Sequence, residues 1–276
     1  MKLYGTPEGI AVNEGDRWFH AREASFDRLF AEDRPLDWLR PRLEAGARLD
    51  VTGPLAAPLG RQEVWAAGVT FQRSREARMA ESGREADLYD RVYDAERPEL
   101  FFKATPHRVV GAGGEVRIRR DSAWNVPEAE LALAVNRAGR IVGYTIGNDM
   151  SSRSIEGENP LYLPQAKIHD GCCALGPCLL LSEQPLSPTT EISLGIEREG
   201  REVFHGATRL SQMRRSPTEL VEWLFRDNSF PDGCYLLTGT GIVPDGNFTL
   251  APGDTVAITI APIGTLRNRV TVRSSK

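Results

Sequence analysis

The segment PEAELALAVNRAGRIVGYTIGNDMSSRSIEGENPLYLPQAKIHD, residues 127–170, decides how the chain is read. Glu128 and Glu130 stand two residues apart at the head of an alternating apolar run. Side chains of a strand repeat every second residue, so both carboxylates point to one face. A hairpin turn at Asn136 to Gly139 leads into a second apolar run, Ile141 to Gly147, which ends at Asn148 and Asp149. Three carboxylates can therefore converge at neighbouring strand ends. Held that close they repel one another, and burying them together is costly unless a cation compensates. Oxygen-only ligands suit Mg²⁺ better than Zn²⁺, which prefers His and Cys. The spacing alone equally allows Glu128 to be a solvated strand-end charge and Asp149 a turn residue.

From Ser151 to Lys167 the chain carries Arg153, Glu156, Glu158, Gln165 and Lys167 around two prolines, with no hydrophobic period. Such a segment is expected to be an irregular binding loop or lid, rich in hydrogen-bonding groups.

The rest of the chain sets bounds. At 276 residues it fits one large domain, or a large one with a small appendage. Its 34 basic and 38 acidic residues give a net charge of −4, and no basic patch with interleaved aromatics argues for nucleic acid. No apolar run is long enough for a secretory signal or a bilayer span, so a cytoplasmic protein without a membrane partner is expected. The four cysteines, Cys172, Cys173, Cys178 and Cys234, form no CxxC and suit small buried thiols.

Residues 1–60 look like a small N-terminal subdomain, with two short helices or turns around Phe26 to Phe30 and Leu36 to Leu43, then the Pro/Gly-rich connector VTGPLAAPLG. Residues 61–276 form the main domain. An apolar strand from Val64 to Phe71 runs into a helix bearing Arg73 and Arg78, usually a solvated face but also a place to hold an anionic substrate. In LFFKA, Lys103 either snorkels outward or meets a carboxylate. Most of the chain beyond that strand is β, including a hairpin turning at Glu199 and Gly200. One helix interrupts, capped by Ser216, with Pro217 at its first position and Glu219 completing a capping box. Strands dominate and helices are segregated, which makes an α+β, mostly β fold and excludes a doubly wound sheet. Gly239-Thr240-Gly241 is a tight turn in which Thr240 offers a hydroxyl and an amide to a carboxylate. Of the four histidines only His169 lies near the acidic cluster in sequence.

These motifs together resemble the fumarylacetoacetate hydrolase family. Glu128-x-Glu130, GYTIGNDMSSR with Asp149 and Arg153, Lys167, Leu175 to Pro177, LTGTG at Leu237 to Gly241 and the closing LAPGDTVAITIAPIGTLRNRV carry the resemblance over residues 61–276. It implies a mixed β-roll catalytic domain, a homodimer or homotetramer, and Mg²⁺, sometimes Mn²⁺ or Ca²⁺, held by Glu128, Glu130 and Asp149. Within the family, Ile155 to Lys167 is similar to the 2-keto-3-deoxy-D-arabinonate dehydratase branch. Where hydrolytic members carry a histidine and a glutamate after the first strand, this chain has Ser74 and Ala77, so the water-activating dyad is missing. Ser154 stands where members usually have Asp.

The implied chemistry is dehydration of a small-molecule 2-keto acid through a metal-stabilised enolate. Lys167, Glu156 or Glu158 serves as base, and Arg73, Arg78, Lys103, Arg153, Gln165 and Thr240 contact the substrate. The rival on the same platform is an acylpyruvate-type hydrolase or an oxaloacetate-like decarboxylase. A sensor that keeps the fold without catalysis is the other class.

Overall fold

The computed structural model describes residues 1–51, 53–74 and 91–273. In chain order its strands are β1 (Lys2–Thr6), β2 (Gly9–Glu14), β3 (Arg17–Ala21), β4 (Leu43–Ala45), β5 (Glu63–Gly68), β6 (Glu99–Ala104), β7 (Val109–Val110) and β8 (Glu115–Ile118). They continue as β9 (Asn125–Val135), β10 (Ile141–Ser152), β11 (Cys173–Leu181), β12 (Glu191–Arg198), β13 (Arg201–Arg209), β14 (Cys234–Leu237), β15 (Thr255–Ile260) and β16 (Gly264–Val272). The α-helices that lie wholly within the described residues are α1 (Phe26–Ala31), α2 (Pro35–Leu39), α3 (Arg153–Glu158), α4 (Leu163–Lys167) and α5 (Pro217–Leu224).

Everything is arranged about the β9–β10 hairpin. Every residue of β9 is buried, because both faces of this central strand are covered. Its odd positions Leu131 and Leu133 pack with Ile146 and Met150 against Ile192, Leu194, Val256 and Ile258. The even positions Ala132 and Ala134 join Leu29, Phe30, Tyr235 and Leu237 on the other side. Glu128 and Glu130 are the polar end of that second face. The connecting turn is fixed by Asn136, whose Oδ1 accepts from the backbone N–H of Ala138 at 3.1 Å and of Arg140 at 2.9 Å. Gly139 there has φ 74°, a conformation that costs glycine little.

The main sheet runs β4-β3-β2-β1-β11-β10-β9-β14-β5-β6, with β7 added beside β11, and the second sheet runs β13-β12-β15-β16-β8. Most pairs are antiparallel, but β14–β5, β11–β7 and β16–β8 are parallel, so both sheets are mixed. This is the mostly β, α+β architecture expected. The N-terminal strands, within the expected 1–60 subdomain, continue the main sheet through the β1–β11 pairing. Phe30 of α1 packs on Tyr235 of β14 with ring centroids 5.1 Å apart.

Several local expectations are corrected. Ahead of α1, Arg17–Ala21 forms a strand, β3, that the sequence reading did not name; its Trp18 packs on Tyr4 at 5.5 Å across the sheet. The second arm of the hairpin does not end at Gly147 but runs on to Ser152, so Asn148 and Asp149 lie within β10. The stretch from Ser151 to Lys167 is not irregular. Ser152 caps α3, its Oγ accepting from the Ile155 N–H at 3.3 Å, and α4 follows after a 3₁₀ turn at Pro160–Tyr162. Helices of five or six residues are too short to show a hydrophobic period.

The strand expected over Val64 to Phe71 is β5 and ends at Gly68, since Val69 turns to φ 51°; the cap at Ser216 accepts from the Glu219 N–H at 3.1 Å, and all four cysteines are buried and free. Among the described residues no helix is long and apolar enough to cross a membrane.

Leu133 is 0 % exposed where the two sheets meet. Leu133→Ala is expected to lower the unfolding free energy by about 3 kcal/mol in urea denaturation, as deletions in close-packed cores do, whereas a loss under about 1 kcal/mol would mean a loosely packed interface.

Candidate metal centre and active site

Pairing in the β9–β10 hairpin sets Asp149 directly opposite Glu128 and Gly147 opposite Glu130. Glu130, two residues along β9, shares the face of Glu128, and Gly147 opposite it leaves room for Leu237, whose side chain would lie 2.2 Å from a Cβ there. One carboxylate oxygen from each of Glu128, Glu130 and Asp149 lies within 4.8 Å of the others, and all three residues are buried. The register of one hairpin thus brings three like charges together, at mid-strand rather than at strand ends. Burial, then the charges of Asp149 and Glu128, push the Glu130 carboxyl well above the usual carboxylate range.

Cations close around the trio. Lys167 Nζ donates to Glu128 Oε2 at 2.7 Å, Asp149 Oδ2 at 3.0 Å and Ser151 Oγ at 2.7 Å. Arg153 Nη2 lies 3.1 Å from Glu128 Oε1. Lys103, 0 % exposed, meets Asp149 Oδ1 at 2.5 Å from behind and also donates to the Met150 and Lys167 carbonyls. Burial is the largest single influence and works against its charge, but Asp149 together with Cys172 and Cys173 outweighs it, and the ammonium is held above its ordinary range. Of the two outcomes open to Lys103, it meets a carboxylate.

The turn after β14 supplies a donor on the opposite side. Thr238 N–H bonds the Leu131 carbonyl at 3.0 Å, which places the Gly239 N–H 2.5 Å from Glu130 Oε2. Gly239 has φ 87°, and a Cβ there would fall 2.1 Å from Thr70 Oγ1. Only glycine fits. The neighbouring Thr240 faces the cleft, but its hydroxyl is engaged by the Ile242 N–H at 3.1 Å and the Ile242 carbonyl at 3.2 Å. Across the cleft Val69, a β-branched residue, is held at φ 51°, local strain of the kind that collects at functional sites.

Glu128, Asp149, Arg153, Glu156, Lys167 and Thr240 line one cleft together. Other expected contacts lie elsewhere. Glu158, Gln165 and Arg73 are exposed and outside its lining. Arg78 and Ala77 lie outside the described residues. His169 faces a different cavity, with its Nδ1 3.2 Å from the Asp170 carbonyl. Ser154 bonds Ser122 at 2.8 Å, so Glu128 rather than residue 154 orients Arg153.

Two lining residues were missed by sequence reasoning, Glu99 and Phe101. The ring of Phe101 lies 5.6 Å from Lys167 Nζ, and the Glu99 carboxylate rests over Gly68, where a Cβ would be 2.0 Å from its Oε2. Period-two spacing of Glu99, Phe101 and Lys103 along β6 was the available signal.

The donor set fits a hard divalent ion: three convergent carboxylates, no His or Cys among them, and an ammonium already drawn to the same oxygens. The family model for the fumarylacetoacetate hydrolase C-terminal domain matches residues 64–271. The chain belongs to the fumarylacetoacetate hydrolase family. It is 54 % identical to a probable 2-keto-3-deoxyxylonate dehydratase of Haloferax volcanii over 78 % of this chain and 74 % of the relative. It is 46 % identical to the 2-dehydro-3-deoxy-D-arabinonate dehydratase of Saccharolobus solfataricus over 77 % of this chain and 72 % of that one. A solved 2-keto-3-deoxy-D-arabinonate dehydratase complexed with magnesium and 2,5-dioxopentanoate superposes with TM-score 0.85 at 35 % identity, covering 100 % of both chains.

Two outcomes are expected of this family member. Gly239→Ala should pull the backbone donor off Glu130 and weaken Mg²⁺ binding about tenfold, the scale of losing a ligand's supporting hydrogen bond, in a calorimetric titration; unchanged affinity would make the turn incidental. Half-buried His169 has its pKa lowered by burial, and by Lys103, to about 4. As pH falls below 6.5 the unfolded chain takes up this proton first, so stability is lost down to about pH 4. Wild type should lose about 2 kcal/mol more than His169→Asn across that window in urea denaturation, and equal losses would show the imidazole to be freely solvated.

Proposed function

We propose that this protein is a Mg²⁺-dependent hydro-lyase that dehydrates a 2-keto-3-deoxy sugar acid, taking 2-dehydro-3-deoxy-D-arabinonate to 2,5-dioxopentanoate. The observation that carries the reading is the buried carboxylate trio facing Lys167 in a cleft whose serine, Ser74, has its hydroxyl committed to the Phe71 carbonyl at 2.9 Å. Nothing at residue 74 is arranged to activate water for C–C cleavage. The two dehydratase relatives, at 54 % and 46 % identity, support the same reaction class.

Glu128, Glu130 and Asp149 would hold the ion. When bound, Mg²⁺ supplies positive charge beside the oxygens of a 2-oxo acid and so lowers the cost of losing a proton from C3. Lys167 donates to three acceptors, which fills the three N–H bonds of an ammonium and suits it to positioning and charge stabilisation rather than to proton abstraction. Lys103 anchors Asp149 and the end of α4, acting through them. Arg153, braced on Glu128, presents a guanidinium for the substrate carboxylate.

The remaining lining carboxylates, Glu156 and Glu99, are the groups left for proton transfer. One takes the C3 proton; the other protonates the hydroxyl leaving C4. The C3–H and C4–O bonds break, a C3=C4 bond forms and water departs; a proton then moves from C5 to C3, leaving a C4=C5 enol whose hydroxyl proton passes to C4 to give the C5 aldehyde. Glu99 thereby takes the part that the sequence offered to Glu158.

Purified protein with Mg²⁺ and 2-dehydro-3-deoxy-D-arabinonate is expected to yield 2,5-dioxopentanoate. Pyruvate from acylpyruvates or oxaloacetate, with no dioxo acid from the sugar acid, would overturn the reading. Lys167→Met should lower kcat at least about 100-fold, the scale of losing a group that stabilises developing charge. In ²H₂O, exchange at C3 of the substrate should vanish in whichever of Glu156→Gln and Glu99→Gln removes the base and persist in the other.

A further inference from the structure

A second cavity, of about 400 Å³, shares no lining residue with the cleft. Its wall carries five arginines: Arg108, Arg117, Arg119, Arg120 and Arg273. Only two carboxylates, Asp121 and Asp170, stand among them, although the whole chain has a net charge of −4. Arg119 is satisfied by a two-point pairing with Asp121 at 2.8 and 2.5 Å. Arg117 and Arg273 converge on one oxygen of Asp170, at 4.0 and 3.1 Å. Arg108 bonds neutral Thr105 at 2.6 Å, and the exposed Arg120 has no carboxylate partner among the described residues. His169, the remaining titratable group on the wall, is held neutral at pH 7 by its burial.

Positive charges gathered in a concave pocket repel one another and focus the field on its mouth. Guanidinium forks aimed into one space match the oxygens of phosphate or carboxylate groups. The elements forming the wall are also well fixed: Arg119 Nη1 donates to the Gln165 carbonyl in α4 at 3.1 Å, and the Arg117 N–H bonds the Gly171 carbonyl at 2.9 Å. The cavity is therefore a built feature between β8 and the connection that follows Lys167.

We propose that this arginine-lined cavity is a binding site for a small multivalent anion bearing phosphate or several carboxylates. Its guanidinium groups engage the anion's oxygens while Asp121 and Asp170 keep Arg119 and the Arg117–Arg273 pair in place.

The test is isothermal titration of the Mg²⁺-loaded full chain with inorganic phosphate and, separately, with tricarballylate, each against chloride at equal ionic strength. Wild type is expected to bind at least one of the two, one per chain, and the stronger binder names the ligand's source as phosphate or polycarboxylate. The double variant Arg120→Ala/Arg273→Ala should bind it more than tenfold more weakly, with kcat unchanged in anion-free buffer and the same mass by sedimentation. No heat above the chloride control with either probe would overturn the site. So would equal affinity in the double variant, which would put the anion in the catalytic cleft or elsewhere. A smaller assembly in the variant would instead make the cavity a contact between copies of this chain. The readout is binding, so it stands apart from whether the sugar-acid reaction is found.

Discussion

Repulsion among three buried carboxylates is the constraint that the rest of this molecule answers. Unpaired, such a group would take up protons or open to water, since charge in a low-dielectric interior is costly. Here the neighbourhood supplies Lys167, Lys103, Arg153 and the Gly239 N–H. Each comes from a different element, which explains why a sheet of eleven strands is knitted around one hairpin. Two lysines and an arginine hold the first two groups on separate sides. Glu130 is served by a backbone donor and stands among its like charges, so it is the position where a divalent ion has most to offer.

The fold delivers this arrangement through register. A one-residue slip of β10 against β9 would carry Asp149 to the other face of the sheet and leave Glu128 opposite Asn148 or Met150 in its place. The Asn136 turn and full burial of β9 prevent that slip. Burial on both faces is also why the polar cluster tolerates no gaps. Glycines 147 and 239 stand where any side chain would intrude on Leu237 or Thr70.

Much of this was legible in sequence because strand periodicity is a short-range rule. Glu128-x-Glu130 followed by a hairpin and Asp149 needs no tertiary knowledge to be placed on one face. Lys167 was found as the lone charge ending a polar stretch. Glu99 was not, although it alternates with Phe101 and Lys103, because its carboxylate acquires meaning only from Gly68 on the neighbouring strand. The helices α3 and α4 escaped because caps and prolines, not apolar spacing, define them. Gln165 and Glu158 share the loop's composition but turn to solvent, and composition cannot say which side of a short helix faces inward.

The chemistry assigned to the cleft follows from the same electrostatics. A site that already gathers carboxylates and ammonium groups away from water is prepared to stabilise charge developing on an oxo acid, without reorganising when it does. The most direct measurement is anomalous scattering from a crystal soaked in Mn²⁺, which takes the same oxygen ligands as Mg²⁺. The account predicts a single strong peak with oxygens of Glu128, Glu130 and Asp149 all about 2.2 Å away, as for a hard ion bound by carboxylates. A peak elsewhere, or a trio still closed on Lys167 with no ion among them, would contradict it.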